Sequence, residues 1–227
     1  MPSQLELPAG VLWDMDGTLI DSEPYWIAAE TELVESFGGV WTHEMALQMV
    51  GNSLLTSARI LREAGVDMEP PNIVEWLLDR VVAATAQRVP WQPGALELLR
   101  NLAQAGVPCA LVTASYRRFA DVVVAAADGL LAVSVAGDEV VNGKPDPEAF
   151  LLAAELLGVD PKRCVAVEDS PPGIAAAMAS GARVLGAEAT VPLPEFPGLS
   201  RTTSLAAVGL ADLSRIAAGE VLDLRRH

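Results

Sequence analysis

The chain has 227 residues, 51% of them hydrophobic, which predicts one compact folded domain carrying an insertion and excludes a disordered or fibrous chain. Its formal net charge is −15, with 15 Lys and Arg against 30 Asp and Glu, which excludes the electrostatics of a nucleic-acid or membrane-surface binder, so any anionic ligand must meet a local positive field. The two cysteines, Cys109 and Cys164, both in apolar runs, and the unbasic opening stretch with Glu6 and two prolines predict a reduced cytoplasmic protein without a secretory signal.

The apolar run Gly10 to Trp13 ends in Asp14 with a turn signal at Gly17, which predicts a short buried strand running into a loop. From Ser22 to Phe37 the apolar residues Trp26, Ala29, Leu33, Val34 and Phe37 recur at helical spacing, with Asp21 or Ser22 as N-cap and Gly38-Gly39 as the stop. Helical patterns follow over Thr42–Val50, Leu54–Ala64 and Asn72–Arg88 with no strand signal between them, so residues 20–90 are expected to be an all-helical insertion. Beyond Trp91 the pattern alternates. Helices are predicted over Ala95–Ala105, Arg117–Ala127, Pro147–Leu157 and Gly173–Ala179, and strands over Cys109–Thr113, Ala132–Val135, Cys164–Val167 and Arg183–Leu185. The most apolar stretch, residues 122–136, is broken by Asp128 and Gly129 and is too short to span a bilayer. The tail from Leu193 predicts only a weak final helix.

Repeated strand-then-helix units with near-continuous apolar strands predict an α/β fold, a doubly wound parallel sheet of residues 1–19 and 91–227 with the helical segment 20–90 inserted after the first strand. Ligands of such sheets bind beyond the carboxyl ends of the strands. The residues predicted there are Asp14 and Asp16, Thr113 and Ser115, Lys144, and Glu168 with Asp169. A D-x-D pair alone also fits calcium loops and ordinary turns, but here a second acidic pair ends another core strand. Such carboxylates crowded at one edge repel one another, and a divalent cation relieves them. With an all-oxygen donor set and only His43 and His227 as histidines, magnesium is preferred over zinc, and calcium stays open as an alternative. Lys144 is one of only two lysines and lies in Gly143-Lys144-Pro145-Asp146-Pro147 just before a helix. It is placed to offset the acidic cluster and hold a phosphoryl oxygen, with Thr113 and the following N–H groups, of Ala114 and Ser115, holding others; the plainer reading is a surface pair with Asp146 or Glu148.

Asp14-Met15-Asp16-Gly17-Thr18, Leu111-Val112-Thr113-Ala114-Ser115, Gly143-Lys144-Pro145-Asp146-Pro147 and Val167-Glu168-Asp169-Ser170, in that order, resemble the four motifs of the haloacid dehalogenase superfamily. The helical insertion, entered through Asp21-Ser22-Glu23-Pro24, resembles the cap of its β-phosphoglucomutase-like branch. The resemblance implies a magnesium-dependent phosphatase of small phosphorylated metabolites, sugar phosphates first among them, acting as a monomer. It implies Asp14 as the nucleophile that becomes a phosphoaspartate and Asp16 as the acid and base. It implies Asp14, the backbone carbonyl of Asp16 and Asp169 as metal ligands, with Glu168 acting through water, and Thr113 and Lys144 as phosphoryl holders.

The departures narrow the activity. Asp16 disfavours dehalogenation, which needs no acid at that position, and residues 20–90 hold no lysine for the Schiff base of phosphonate hydrolysis. The phosphomutase of the same branch is the nearest rival by resemblance; its cap histidine and arginine correspond to Trp26 and Leu54 here, which disfavours transfer to a second sugar. Glu23, Tyr25, Trp26 and Asn52 are the expected substrate contacts of the helical segment, although Trp26 and Leu54 equally suit helix packing. A catalytically silent phosphate or partner binder would be expected to have lost some of the acidic set, which is intact, and no G-x-S-x-G elbow supports a serine hydrolase.

Overall fold

The computed structural model describes residues 6–49, 52–188 and 192–225. In chain order its elements are β1 (Gly10–Trp13), α1 (Glu23–Ser36), α2 (His43–Leu47), α3 (Leu54–Glu63), α4 (Pro70–Gln87), α5 (Ala95–Gln104), β2 (Cys109–Val112), α6 (Arg117–Ala126), β3 (Val133–Val135), α7 (Glu148–Leu157), β4 (Cys164–Glu168), α8 (Pro171–Ser180), β5 (Arg183–Ala187), β6 (Ser200–Thr202) and α9 (Leu210–Ala217). They form two compact units, one of residues 1–20 with 91–227 and one of residues 21–90.

The first unit is built on a six-stranded, wholly parallel sheet in the order β3-β2-β1-β4-β5-β6. Its strands are apolar along their length because both faces are covered. Leu12 pairs with Ala110 on one side and Ala166 on the other, and these residues share one face. There they join Phe150 and Ala153 of α7 and Ile174 and Ala177 of α8 in one buried cluster. The alternate residues Val11, Trp13, Leu111, Val165 and Leu185 are equally buried on the opposite face, where α5 packs on β2 and α9 on β4 and β5. Each such side chain taken out of water contributes roughly 1.5–3 kcal/mol, so the sheet is a rigid platform for whatever its strand ends carry. The doubly wound parallel core predicted from the alternation of elements is therefore present.

In the second unit α1 and α3 pack on α4, burying Leu33, Val34, Ala58, Leu61, Ile73, Leu77 and Val81. Thr42 and Ser53 cap α2 and α3 by accepting the Met45 and Thr56 amides. α4 begins at Pro70, two residues earlier than the periodicity suggests, because prolines in a first turn forgo only an N–H that has no helical partner. The same holds for α8, which starts at Pro171 rather than Gly173. The helix expected over 42–50 is α2; Val50, with Gly51, lies outside the described residues.

One element escaped the sequence reading. β6 adds a polar three-residue edge strand in the tail, paired with β5, with Arg201 only 6% exposed and its guanidinium on Glu188 at 2.5 Å and the Leu193 carbonyl at 3.0 Å. No helix among the described residues is long and apolar enough to cross a membrane.

Candidate active site

Asp14 is the first residue past β1, and its amide still bonds the Val167 carbonyl of β4 at 3.0 Å. One step beyond the paired residues Trp13 and Val167, the side chains of Asp14 and Glu168 leave the sheet on the same side. Lys144 reaches them from the segment between β3 and α7. Its ammonium donates to Asp14 Oδ1 at 2.6 Å, to Glu168 Oε1 at 2.6 Å and to the Val112 carbonyl at 3.0 Å, using all three of its protons. The alternative surface pairs are not formed: Glu148 instead accepts the Val141 and Asn142 amides, and Asp146 accepts the Glu148 amide.

Glu168 is fully buried and its second oxygen accepts both the amide and the hydroxyl of Ser170, at 2.9 Å each. Asp169 accepts a bond from the Thr18 hydroxyl at 3.1 Å. It lies so close to the turn after Asp16 that a Cβ on Gly17 would overlap its carboxylate, and Gly17 also has φ +85, so both space and backbone require glycine there. Gln92 secures the same turn, its amide donating to the Gly17 carbonyl at 3.2 Å.

Asp14, Glu168 and Asp169 each present a carboxylate oxygen within 4.8 Å of the others. One lysine faces these three carboxylates, and the imbalance raises Asp14 and Asp169. Burial, with Glu168 and Asp169 adding to it against the opposing pull of Lys144, holds the Asp14 carboxyl well above its ordinary range. Burial and Glu168 push Asp169 up to about 7 despite the Thr18 bond and Lys144. Burial alone would lower Lys144, but Asp14 and Glu168 outweigh it and keep the ammonium charged. Buried carboxylates in excess of the available positive charge, converging as hard oxygen donors, are a set that fits a hard divalent cation.

The Asp16 carboxylate faces another way. It accepts the Ser115 hydroxyl at 2.7 Å and the Thr113 hydroxyl at 3.4 Å, and Thr113 Oγ1 also accepts the Ser115 amide at 2.9 Å. Asp14 and Asp16, one residue apart, thus have different surroundings: a lysine and two acids for one, hydroxyls for the other. The segments predicted to meet at the strand ends are together: Asp16 is bonded to Thr113 and Ser115, Lys144 to Asp14, Glu168 and the carbonyl of Val112 next to Thr113, and an Asp169 oxygen lies within 4.8 Å of those of Asp14 and Glu168, so the groups form one network of neighbours. The remaining candidates belong to the helical unit. Trp26 is half-buried on α1, the Tyr25 hydroxyl donates to the Arg88 carbonyl at 3.0 Å, Glu23 opens α1, and Asn52 is exposed with its amide on the Gln48 carbonyl at 3.2 Å. Thr18, Gln92 and Ser170 were given no role by sequence reasoning.

The whole of this network lies within a match to the family of haloacid dehalogenase-like hydrolases over residues 8–181. Hexitol phosphatase A of Escherichia coli (strain K12) is 35% identical over 193 residues, covering 82% of this chain and 86% of that one. A phosphorylated carbohydrates phosphatase of Thermotoga maritima is 33% identical over 177 residues, covering 75% and 81%. The crystal structure of CbbY from Rhodobacter sphaeroides, in complex with phosphate, superposes with a TM-score of 0.81 at 29% identity, covering 91% of this chain and 99% of that one. By the length of the family match and by these relatives, the chain belongs to the haloacid dehalogenase-like hydrolases.

Proposed function

We propose that this hydrolase is a magnesium-dependent phosphoric monoester hydrolase of a small phosphorylated metabolite, a sugar or polyol phosphate, working through a phosphoaspartate on Asp14. The observation that carries the reading is the buried pair Asp14 and Glu168 on the single ammonium of Lys144, with the half-buried Asp169 presenting a third carboxylate beside them. The phosphatases named above, which act on hexitol phosphates and phosphorylated carbohydrates, support the substrate class.

In this mechanism an Asp14 oxygen attacks phosphorus and the ester oxygen departs, so one difficult transfer becomes two easier ones. Lys144, the Thr113 hydroxyl and the Ala114 and Ser115 amides hold the phosphoryl oxygens where negative charge gathers. Asp16, oriented by Ser115 and Thr113, protonates the leaving alkoxide and then takes a proton from the water that hydrolyses the intermediate. Asp14, the Asp16 carbonyl and Asp169, with Glu168 through water, would hold a magnesium ion, whose positive charge would let an anionic carboxylate approach an anionic phosphoryl group. Glu23, Trp26 and Asn52 are proposed substrate contacts, and the protein is proposed to act as a cytoplasmic monomer without nucleic-acid or membrane partners.

Initial rates over sugar, polyol and nucleotide phosphates test this reading. Turnover should vanish in EDTA, return with magnesium and favour the sugar and polyol esters. Equal turnover in EDTA, or none on any ester with magnesium, would contradict it.

A further inference from the structure

Pairing between β2 and β3 stops at Val112 and Val135, yet the chain segments beyond them remain joined. Past β2 run Thr113 to Arg117; past β3 a tight turn runs from Ala136 to Glu139. The Gly137 amide donates to the Ser115 carbonyl at 2.8 Å, and the Arg117 amide donates to Asp138 Oδ1 at 2.7 Å. The Arg117 guanidinium spans the gap, donating to the Ser134 hydroxyl at 2.7 Å, to the Ser134 carbonyl at 2.9 Å and to Glu139, whose carboxylate also accepts the Ala136 amide at 2.9 Å. The contact leaves no slack: a Cβ on Gly137 would overlap the Ala114 carbonyl.

The segment so held is the one whose Ser115 hydroxyl fixes the Asp16 carboxylate. We propose that Gly137, Arg117 and Glu139 form a clamp that positions the Thr113–Ser115 segment and, through Ser115, aims Asp16 at the leaving oxygen. They are positioning residues, touching no substrate, and the proposal rests on the phosphatase reading above. A planar guanidinium with bidentate reach suits this task, because it fixes two backbone segments at once where an ammonium would fix one point.

A mere prop for the fold and an aiming device differ in what they do to leaving groups. p-Nitrophenolate departs with little help, whereas phenolate needs a proton from Asp16, so misaiming Asp16 must penalise the poorer leaving group more. With magnesium, Gly137→Ala should lower kcat for phenyl phosphate about a hundredfold, the scale of a displacement of about 1 Å, and kcat for p-nitrophenyl phosphate only about tenfold. Glu139→Gln, which keeps an acceptor for the Ala136 amide but removes the ion pair, should show the same unequal loss in milder form and decides the matter should the glycine variant not fold. Equal losses on both esters, or none, would overturn the clamp while leaving the phosphatase reading in place. A wild-type enzyme that turns over no phosphate monoester, aryl, sugar or polyol, with magnesium would overturn that reading and the clamp with it.

Discussion

Lys144 and Asp14 illustrate how much a buried charge depends on its neighbours. The lysine side chain is 7% exposed and lies between two carboxylates that are themselves buried. Removing one partner from such a set leaves uncompensated charge in a low-dielectric site, at a cost of roughly 3–5 kcal/mol. Lys144→Met should therefore lower the melting temperature markedly and abolish turnover; an unaltered melting temperature would mean the ammonium offsets nothing. Asp14→Asn is the opposite case, since it removes one of three mutually repelling carboxylates and keeps an oxygen for Lys144. It should fold at least as stably as the wild type while losing turnover by about a thousandfold or more; retention of more than such a trace would exclude Asp14 as nucleophile. Such residues were legible because each ends a strand or opens a loop in a recognisable run. The bonds that orient them were not. Nothing in Gly17-Thr18 announces a hydroxyl on Asp169, because that contact spans 151 residues of chain and exists only once the strands are side by side.

At the scale of the element, helix periodicity predicted the inward stripe of α1 but passed over Glu30, a 5% exposed acid on that same face. Its carboxylate accepts the buried Trp41 indole N–H at 3.1 Å. Burial pushes it up to about 7, against the Trp41 bond and with Glu23 adding slightly. An acid whose folded pKa is raised imposes no penalty below its ordinary value near 4.5, and a growing one as the pH climbs to about 7, after which the penalty is complete. The helical unit should thus lose stability between those limits, by roughly 3 kcal/mol at most. Glu30→Gln, which keeps an acceptor for Trp41, should raise the melting temperature at pH 8 and leave it unchanged at pH 4; equal effects at both pH values would contradict the assignment. β6 was missed for a related reason. Its three residues, Ser200 to Thr202, carry no apolar alternation, and the partners of the buried Arg201 guanidinium, Glu188 and the Leu193 and Pro194 carbonyls, all lie outside the strand. Patterns of apolar residues reveal elements that bury carbon; they are blind to elements buried by ion pairing.

Across the whole molecule, the surface charge and the site make opposite demands. A chain of net charge −15 repels anions at a distance, so it must bind one at a single point of concentrated positive charge. The parallel sheet prepares that point by bringing the ends of β1, β2 and β4 side by side, so that motifs 100 or more residues apart share one lysine and gather an excess of carboxylates that fits a divalent cation. That convergence was readable from the order of the motifs and the strand-helix alternation. The clamp at Gly137 was not, since it depends on how closely two loops approach beyond the last paired residues. The central claim is that Asp14 itself carries the phosphoryl group. The direct measurement is rapid acid quenching of the enzyme with magnesium and a substrate radiolabelled in its phosphoryl group, followed by peptide mapping. The label should appear on the peptide containing Asp14, be released by hydroxylamine as an acyl phosphate, and be absent from Asp14→Asn. Full turnover with no protein-bound label at any quench time, or label mapped to another residue, would contradict it.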